Sequence, residues 1–233
     1  MKVFSNAFAH FIDLILPRHC ICCECKLLFE EKFICTSCLF LMPLSKDWEI
    51  ANNSLKLHLE KRIPVELAAS LLNYDSQSKY HRILHLLKYK NRPEIGNYFG
   101  EILGRFIMSN PDFMHADYIC PVPLHSKKLK KRGYNQSLHL AQGIAKSTGI
   151  PLNDSNLIRT INTSSQTKKG QRERQENLIG AFHCIDPDIF QDKHIILVDD
   201  IVTTGSTIAA CVYAILPKSN ARISVLSMGR VGN

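Results

Sequence analysis

Hydrophobic positions along the chain form short continuous runs and helical repeats in turn, which predicts alternating strands and helices. The clearest run, HIILV at residues 194–198, is short, mostly β-branched and without polar alternation. Such a run is typical of a strand that is buried on both faces of a parallel sheet. Apolar residues then recur over a helical length from Ser206 to Leu216, just before Pro217. The pattern therefore predicts a strand, a loop and a helix in this order.

The same criteria predict further elements on the amino-terminal side and one at the end of the chain. They are a strand ending at Tyr74, a helix over about 76–90, a helix after Pro93, a strand in DYICPVP, a helix over about 135–148 and a strand in ARISVLSMGR. Residues of mixed polarity before them predict an irregular connector with an exposed Trp48. We therefore divide the chain into 1–45, the connector 46–64 and an α/β domain over 65–233.

The loop after the 194–198 strand, in ILVDDIVTTGSTI, carries the strongest candidate chemistry. In open α/β sheets ligands bind at the carboxyl ends of strands, and the start of the next helix attracts phosphate. Hydroxyl side chains would donate to a phosphate, Gly205 would let the backbone approach it, and the carboxylates would hold sugar hydroxyls or lie near Mg²⁺. The chain has neither a Walker A lysine nor GxGxxG. The predicted ribose-phosphate site comprises Asp199, Asp200, Thr203, Thr204, Gly205, Ser206 and Thr207.

Composition and charge are those of a soluble globular protein with anionic partners. Hydrophobic residues make up 45% and charged residues 21% of the 233, and the net charge is +8. This charge favours phosphates, nucleic acid or a membrane surface as partners. Phe4, Phe8, Phe11 and Ile15 predict an amphipathic amino-terminal helix that packs on the protein, with docking on a membrane surface as the alternative. We find no export signal and no apolar run of the ~20 residues that a membrane span needs, so we expect a cytoplasmic protein.

Six of the nine cysteines lie between residues 20 and 38. Two CxxC pairs separated by a short loop are typical of a tetrahedral, structural zinc site. Cys35 and Cys38 form the second pair, whereas either Cys20 with Cys23 or Cys22 with Cys25 supplies the first. We favour Cys20 and Cys23 as ligands. Disulfides are the alternative, but they are rare in a reducing cytosol. The scattered Cys120, Cys184 and Cys211 are expected to be small buried hydrophobic residues.

Two strongly basic segments are candidate contacts for nucleic acid or for a pyrophosphate group. The first is a predicted loop that follows the strand in DYICPVP, and the second is polar with a glycine at its centre. Solvated surface charge is the simpler interpretation of such runs. A ligand with several negative charges would need such partners, and a tyrosine beside the first run is a candidate for stacking on bases. The candidates are Lys127, Lys128, Lys130, Lys131, Arg132, Tyr134, Lys168, Lys169 and Arg172.

Taken in chain order, these motifs resemble the ComF family of competence-associated, phosphoribosyltransferase-like proteins and its GntX-type relatives. The resemblance includes the CxxC pairs, PVPLHSKKLKKRGYNQSLHLAQGIA, RTINTSSQTKKGQRERQEN and the TTGST loop. It implies a type I phosphoribosyltransferase-like fold: an open, mostly parallel sheet flanked by helices, with a small amino-terminal zinc module. It also implies that the TTGST loop and its acidic pair bind phosphoribosyl pyrophosphate (PRPP) with Mg²⁺, and that the protein handles single-stranded DNA in natural transformation.

Three functions fit this resemblance. The first, which we favour, is a nucleic-acid-handling protein that keeps a PRPP site. The second is an active phosphoribosyltransferase with an unknown acceptor, in which Asp199 and Asp200 are the candidate catalytic residues. The third is an adaptor whose zinc module recruits a partner such as a DNA-translocating helicase or another competence protein, with Trp48 in the contact.

Overall fold

Strands and helices alternate along most of the chain in the computed structural model, which describes residues 16–75, 77–89, 91–161 and 180–231. The strands within these residues are β1 (Ala68–Tyr74), β2 (Tyr118–Pro121), β3 (Leu157–Arg159), β4 (Phe182–Cys184), β5 (His194–Val202) and β6 (Arg222–Val231). The α-helices are α1 (Thr36–Phe40), α2 (Ser54–Glu60), α3 (His81–Tyr89), α4 (Pro93–Ile107), α5 (Pro111–Met114), α6 (Ser126–Arg132), α7 (Gln136–Thr148) and α8 (Ser206–Ser219). Two 3₁₀ turns cover Asp47–Glu49 and Pro187–Phe190.

Four strands form a parallel sheet in the order β1-β6-β5-β2. Every neighbouring pair in it is parallel, and an isolated parallel bridge between Ile119 and Leu152 extends the β2 edge. Strands β3 and β4 form a separate antiparallel pair. The predicted fold class, an open parallel sheet flanked by helices, is confirmed.

Both faces of the sheet are buried, as the lack of polar alternation in β5 predicts. Alternate residues of β5 point to opposite sides, so Ile196 and Val198 pack in a cluster with α4 and α7, whereas Ile195 and Leu197 pack in a cluster with α8. Buried residues of the cysteine segment belong to the first cluster, together with those of α3 and α4. The boundaries at residues 45 and 64 stay a prediction.

Helices α4 and α7 cross at very short range because glycines face each other. A Cβ atom on Gly143 would lie 2.9 Å from Gly100 Cα and 2.8 Å from the Glu101 amide nitrogen, closer than real Cβ contacts. This close packing fixes the position of α7, whose first turn reaches the carboxyl edge of the sheet through Ser137.

Several predicted boundaries are corrected by local hydrogen bonds. The helix predicted from residue 76 begins at His81, because the Asp75 side chain accepts from the Gln77 amide at 2.9 Å and holds a turn there. The predicted basic loop is instead helix α6, which His125 caps and Gly133 ends at a φ of 83°. Pro217 lies inside the last turn of α8 rather than after it. Proline has no amide hydrogen, so the helix lacks one hydrogen bond at this position.

The connector is ordered, and the expectation of an exposed Trp48 is wrong. Its indole ring is 3% exposed and stacks on Phe106 at 4.5 Å between ring centroids. The backbone carbonyl of Trp48 also accepts a hydrogen bond from Asn110 at 3.0 Å. The buried Asp47 side chain accepts from the Ser70 amide and hydroxyl, which fixes the connector to β1.

Among the helices that the structure describes, none combines the length and the apolar character that crossing a bilayer would require.

Candidate functional site

The centre of the candidate site is the carboxyl end of β5 and the loop that follows it. Asp199 and Asp200 lie within the strand, which continues to Val202, and Ser206 begins α8. Gly205 takes a φ of 73°, a conformation that glycine adopts without strain. The Thr204 and Ser206 hydroxyls hydrogen-bond to each other at 2.9 Å. The loop and the strand end surround a small concavity of about 30 Å³.

The two adjacent carboxylates have different partners. Asp199 Oδ1 accepts from the Ser137 hydroxyl at 3.1 Å and from the Asp200 amide at 2.8 Å. Asp200 Oδ2 lies 3.3 Å from Lys88 Nζ in a partly buried ion pair. Burial, followed by the negative charge of Asp200, raises the pKa of Asp199 to about 7. Asp199 is therefore partly protonated near neutral pH, whereas Asp200 has a cation beside it.

Lys88 is a site residue that the sequence analysis missed. It lies in the last turn of α3, where the helix dipole favours a cation. The available signal was the predicted helix after β1, because β1 ends at the same edge of the sheet as β5. Ile83, Leu84 and Leu87 form the buried face of this helix, and Lys88 lies beside that face.

Helix α6 divides the five basic residues of the first segment into two sets. Lys128 and Arg132 are half-buried one turn apart, and Arg132 Nη1 donates to Gln136 Oε1 at 3.0 Å. Burial and the positive charges of Arg159 and Arg132 lower the pKa of Lys128. Burial lowers the pKa of Arg159. The negative charge of nearby Asp199 raises the pKa of Arg159 by a smaller amount. The inward set therefore lies near Arg159, which in turn experiences the charge of Asp199.

The outward set of α6 consists of three exposed lysines, Lys127, Lys130 and Lys131. A helix makes this separation because residues four apart share a face. The predicted contacts of the second basic segment, Lys168, Lys169 and Arg172, lie outside the described residues.

Tyr134 conflicts with its predicted role of stacking on bases. Its side chain is 8% exposed, and its ring packs edge-on against His139 at 5.3 Å. Its hydroxyl donates to the Leu87 carbonyl, which ties the start of α7 to α3. A base cannot stack on a ring whose faces are already covered, so Tyr134 positions α7 instead.

The favoured cysteine set lies together at the amino-terminal side of the structure. The sulfur atoms of Cys20, Cys23, Cys35 and Cys38 all lie within 4.8 Å of one another. Four sulfur atoms around one zinc ion are separated by about 3.8 Å for Zn–S bonds of about 2.3 Å, so the four sulfur atoms are near enough to one another to hold one ion. Cys25 Sγ lies 3.3 Å from Cys23 Sγ, and hydrogen bonds from the Cys25 amide and thiol lower the pKa of Cys23 to about 6.

The scattered cysteines are buried, as expected. Cys120, Cys184 and Cys211 are each at most 2% exposed and lie in the cluster beneath α8. Burial raises the pKa of Cys120 to about 12, which favours the neutral thiol.

These features define an α/β protein with an acidic strand end, a hydroxyl-rich loop at the start of a helix and a cluster of four cysteines. The chain is 30% identical over 175 residues to the DNA utilization protein YhgH of Salmonella typhimurium, which covers 74% of this chain and 75% of that protein. It is 27% identical over 214 residues to the competence protein ComFC of Bacillus subtilis, covering 89% and 82%. It is also 36% identical over 92 residues to the competence protein F of Haemophilus influenzae, covering 39% and 40%. The chain therefore belongs to the ComF family.

Comparisons with protein-family models and with solved structures contribute less to this assignment. No protein-family model matches the chain. Among solved structures, the allosteric regulatory enzyme of purine biosynthesis superimposes with a TM-score of 0.42 at 18% identity, over 62% of this chain and 30% of that one. The glutamine PRPP amidotransferase of Bacillus subtilis gives the same values. The chain thus spans less than a third of either enzyme.

Proposed function

We propose that the chain binds PRPP or a related ribose phosphate at the loop 203–207 and handles single-stranded DNA. The observation that carries the first part is the geometry of the β5 end. Two carboxylates there lead directly into a hydroxyl-rich loop at the start of a 14-residue helix. Amide groups at such a helix start bind phosphate, and carboxylates accept hydrogen bonds from ribose hydroxyls.

The cations around this loop suit the remaining negative charge of PRPP. Lys128 and Arg132 are half-buried on the inner face of α6, and Lys88 already faces Asp200. Half-buried cations interact with phosphate more strongly than fully solvated ones, because water screens them less. In our proposal Lys128 and Arg132 bind the pyrophosphate group.

Mg²⁺ belongs to this proposal only together with PRPP. Within the described residues, the cysteines form the one cluster of three or more potential ligands. Asp200 is already paired with a lysine, and the described residues place no cluster of three potential ligand side chains around it. The oxygen atoms of PRPP would supply the others, as is usual for Mg²⁺.

Zinc is the ion that the cysteine cluster fits best. Cys20, Cys23, Cys35 and Cys38 supply four sulfur ligands within 4.8 Å of one another, the number that a structural zinc site needs. Such a site is closed to substrates, so the ion would stabilise this segment rather than take part in a reaction. Three of the four sulfur-bearing residues are buried in the cluster that also contains α3 and α4, so zinc would also support the position of Lys88.

Single-stranded DNA is the partner that the outward set of α6 suits. Lys127, Lys130 and Lys131 are exposed on one short helix, and the chain carries a net charge of +8. Exposed lysines bind backbone phosphates without reading sequence. The names of the relatives refer to DNA utilization and competence, which agrees with this role.

Fluorescence anisotropy of a labelled single-stranded oligonucleotide tests both parts. We expect zinc-loaded protein to bind it with an affinity that falls with salt, and PRPP with Mg²⁺ to change that affinity. Replacing Lys130 and Lys131 by alanine should reduce the salt slope by about 1.4, since each lost contact with a single strand contributes about 0.7. Exposed Lys26 and Lys218, replaced together, provide the matched control. An unchanged slope in the α6 variant would exclude this helix from the DNA contact.

A second candidate function is phosphoribosyl transfer to an unknown acceptor. The pair of carboxylates at the strand end favours it, because pure phosphate binding gains nothing from two acids. The transfer passes through a positively charged sugar centre, which a carboxylate would stabilise. In the presence of Mg²⁺, we expect the wild type to release pyrophosphate from PRPP only when the acceptor is added. We expect Asp200→Asn to abolish this release. A broad screen of nucleobases without any release would argue against this function.

A third candidate, recruitment of a DNA-translocating helicase or another competence protein, rests on the surface of the cysteine segment. Phe40 is 87% exposed, Leu28 69% and Leu41 63%, whereas Trp48 is buried and offers no contact. Replacing Phe40 and Leu41 by serine should abolish co-purification with such a partner and leave the fold intact. Retained co-purification would remove this candidate.

A further inference from the structure

A groove of about 580 Å³ lies between the cysteine segment and α4, and it shares no lining residue with the concavity of the loop 203–207. Residues 30–44 form one wall, and α4 forms the other. The residues that α4 contributes recur at helical spacing, so one whole face of this helix is open to the groove. They are Tyr98, Glu101, Ile102, Arg105 and Phe106.

The surface of this groove is apolar over much of its length. Leu39 is 38% exposed, and Leu44, Ile102 and Phe106 are half-buried, so their side chains have free surface for further contacts. The complete apolar lining comprises Ile34, Leu39, Met42, Leu44, Ile102 and Phe106. An apolar groove along the face of a helix is the kind of surface that receives an amphipathic helix.

The two half-buried acids of the groove already have partners within the chain. Glu31 accepts hydrogen bonds from two backbone amides and from the Thr36 hydroxyl. Glu101 pairs with Lys146 at 2.7 Å. The other charged residues of the lining are exposed and so lie at the rim; they are Glu30, Lys32 and Arg105. An occupant of the groove therefore needs an apolar face rather than charges that match these acids.

The described chain begins beside the wall formed by residues 30–44. The Arg18 carbonyl accepts from the Leu27 amide at 2.8 Å, and the Arg18 guanidinium donates to the Glu31 carbonyl at 2.7 Å. Residue 15 is separated from Arg18 by three residue steps, which span at most about 11 Å of chain. Residues 1–15 therefore join the chain next to the groove.

The length of the amino-terminal segment suits the groove. The amphipathic helix that the sequence predicts from Phe4 to Ile15 lies outside the described residues. At 1.5 Å per residue, such a helix would be about 16 Å long, and α4 lines the groove over about 12 Å between Tyr98 and Phe106. The apolar face of the predicted helix comprises Phe4, Phe8, Phe11 and Ile15.

The polar face of the predicted helix argues against a membrane surface as the occupant. Helices that lie on membranes carry many lysines and arginines on this face. At 3.6 residues per turn, the face opposite the apolar side chains would comprise Lys2, Asn6, His10 and Asp13. One lysine and one aspartate cancel each other, so this face gains little from anionic lipids.

We propose that the groove between the cysteine segment and α4 is the docking site of the chain's own residues 1–15. The apolar face of the segment contacts Leu39, Ile102 and Phe106, and its polar face remains in water. The docked segment thereby connects the cysteine segment to α4. No ligand takes part, so the inference is independent of the proposed function.

Photo-cross-linking of zinc-loaded full-length protein tests this proposal. Benzoylphenylalanine is incorporated at position 8 on the apolar face or, in a second protein, at position 6 on the opposite face. Peptide mass spectrometry then locates the bond that forms on irradiation. Leu39→Glu places a charge in the groove, and Phe40→Glu, at a neighbouring position that is 87% exposed and outside the groove, is the matched control. Trp48 fluorescence shows whether the core of each variant is intact.

We expect the probe at position 8 to form bonds to groove residues such as Met42 and Ile102 within one chain, and the probe at position 6 to form none there. Leu39→Glu should reduce the yield at least about tenfold, because docking would then bury a charge among apolar side chains. Phe40→Glu should leave the yield unchanged. The absence of any groove product, or a yield that Leu39→Glu does not reduce, would overturn the proposal.

Two further outcomes would assign the apolar face to another occupant and so also overturn docking within one chain. Groove products that join isotope-labelled to unlabelled chains would indicate docking on a second copy. Sedimentation with phosphatidylglycerol vesicles that Phe8→Ser abolishes, without a groove product, would indicate a membrane surface.

Discussion

The partly buried carboxylate of Asp199 gives a testable consequence for stability. Its folded pKa of about 7 lies above the unfolded value of 3.8, so the folded chain holds this proton more tightly than the unfolded chain. The associated stability is therefore fully present below pH 3.8 and is lost as the pH rises to about 7. Replacing Asp199 by asparagine removes this loss, because the amide stays neutral and its oxygen can still accept from Ser137.

The size of the effect follows from the two pKa values. At about 1.4 kcal/mol per pKa unit, the charge costs the wild type about 2 kcal/mol at pH 5.5 and about 4 kcal/mol at pH 8. These are upper limits, because Asp199 and Asp200 titrate together. We expect Asp199→Asn to gain about 1–2 kcal/mol in unfolding free energy over the wild type when the pH rises from 5.5 to 8.

Urea unfolding at the two pH values measures this gain. Trp48 is the chain's single tryptophan and is buried against Phe106, so its fluorescence reports loss of the core. Asp188→Asn, which removes an exposed carboxylate, should show no such gain and serves as the control. A stability difference between Asp199→Asn and wild type that is the same at both pH values would refute the assignment of Asp199 as a buried carboxyl with a raised pKa.

Three further predictions concern the cysteine cluster, the loop and the ion pair. Cys23→Ser should lose its zinc in elemental analysis while Cys25→Ser retains it; the reverse result would assign the site to the other register. Gly205→Ala should unfold about 1–3 kcal/mol more easily in urea, because it forces an alanine to a φ of 73° and drives its Cβ into a neighbouring leucine methyl; equal stability would contradict the loop geometry. Lys88→Met should lower the unfolding free energy at pH 8 by about 1–3 kcal/mol, because it leaves a partly buried carboxylate unpaired, whereas Lys127→Met at an exposed position should change little; equal effects would argue against the ion pair.

The parts of the fold that depend on hydrophobic period were predictable from the sequence. The strand at 194–198 and the helix from Ser206 follow from patterns within single segments, and so does the loop between them. The cysteine cluster was predictable for a similar reason, since CxxC spacing is local. In each case the deciding interactions join residues that are close in the sequence.

The features that were missed depend on contacts between distant segments or on a single cap. Trp48 is buried because Phe106, 58 residues later, lies against it. Lys88 enters the site only because α3 ends where β5 ends. The helix at 126–132 forms despite the repulsion between its own lysines. It depends on the His125 cap, and the pattern of charged residues does not predict this cap.

Calorimetric titration of PRPP with Mg²⁺ into zinc-loaded protein tests the central claim most directly, when wild type is compared with a Thr204→Val and Ser206→Ala double variant. These substitutions remove two hydroxyls of the loop that hydrogen-bond to each other, together with the 3.4 Å hydrogen bond from the Ser206 amide to the Thr204 hydroxyl. We predict saturable binding to the wild type and at least tenfold weaker binding to the variant, since two charge-assisted hydrogen bonds are lost. Absence of binding to the wild type, or equal binding to both proteins, would contradict a ribose-phosphate site at this loop.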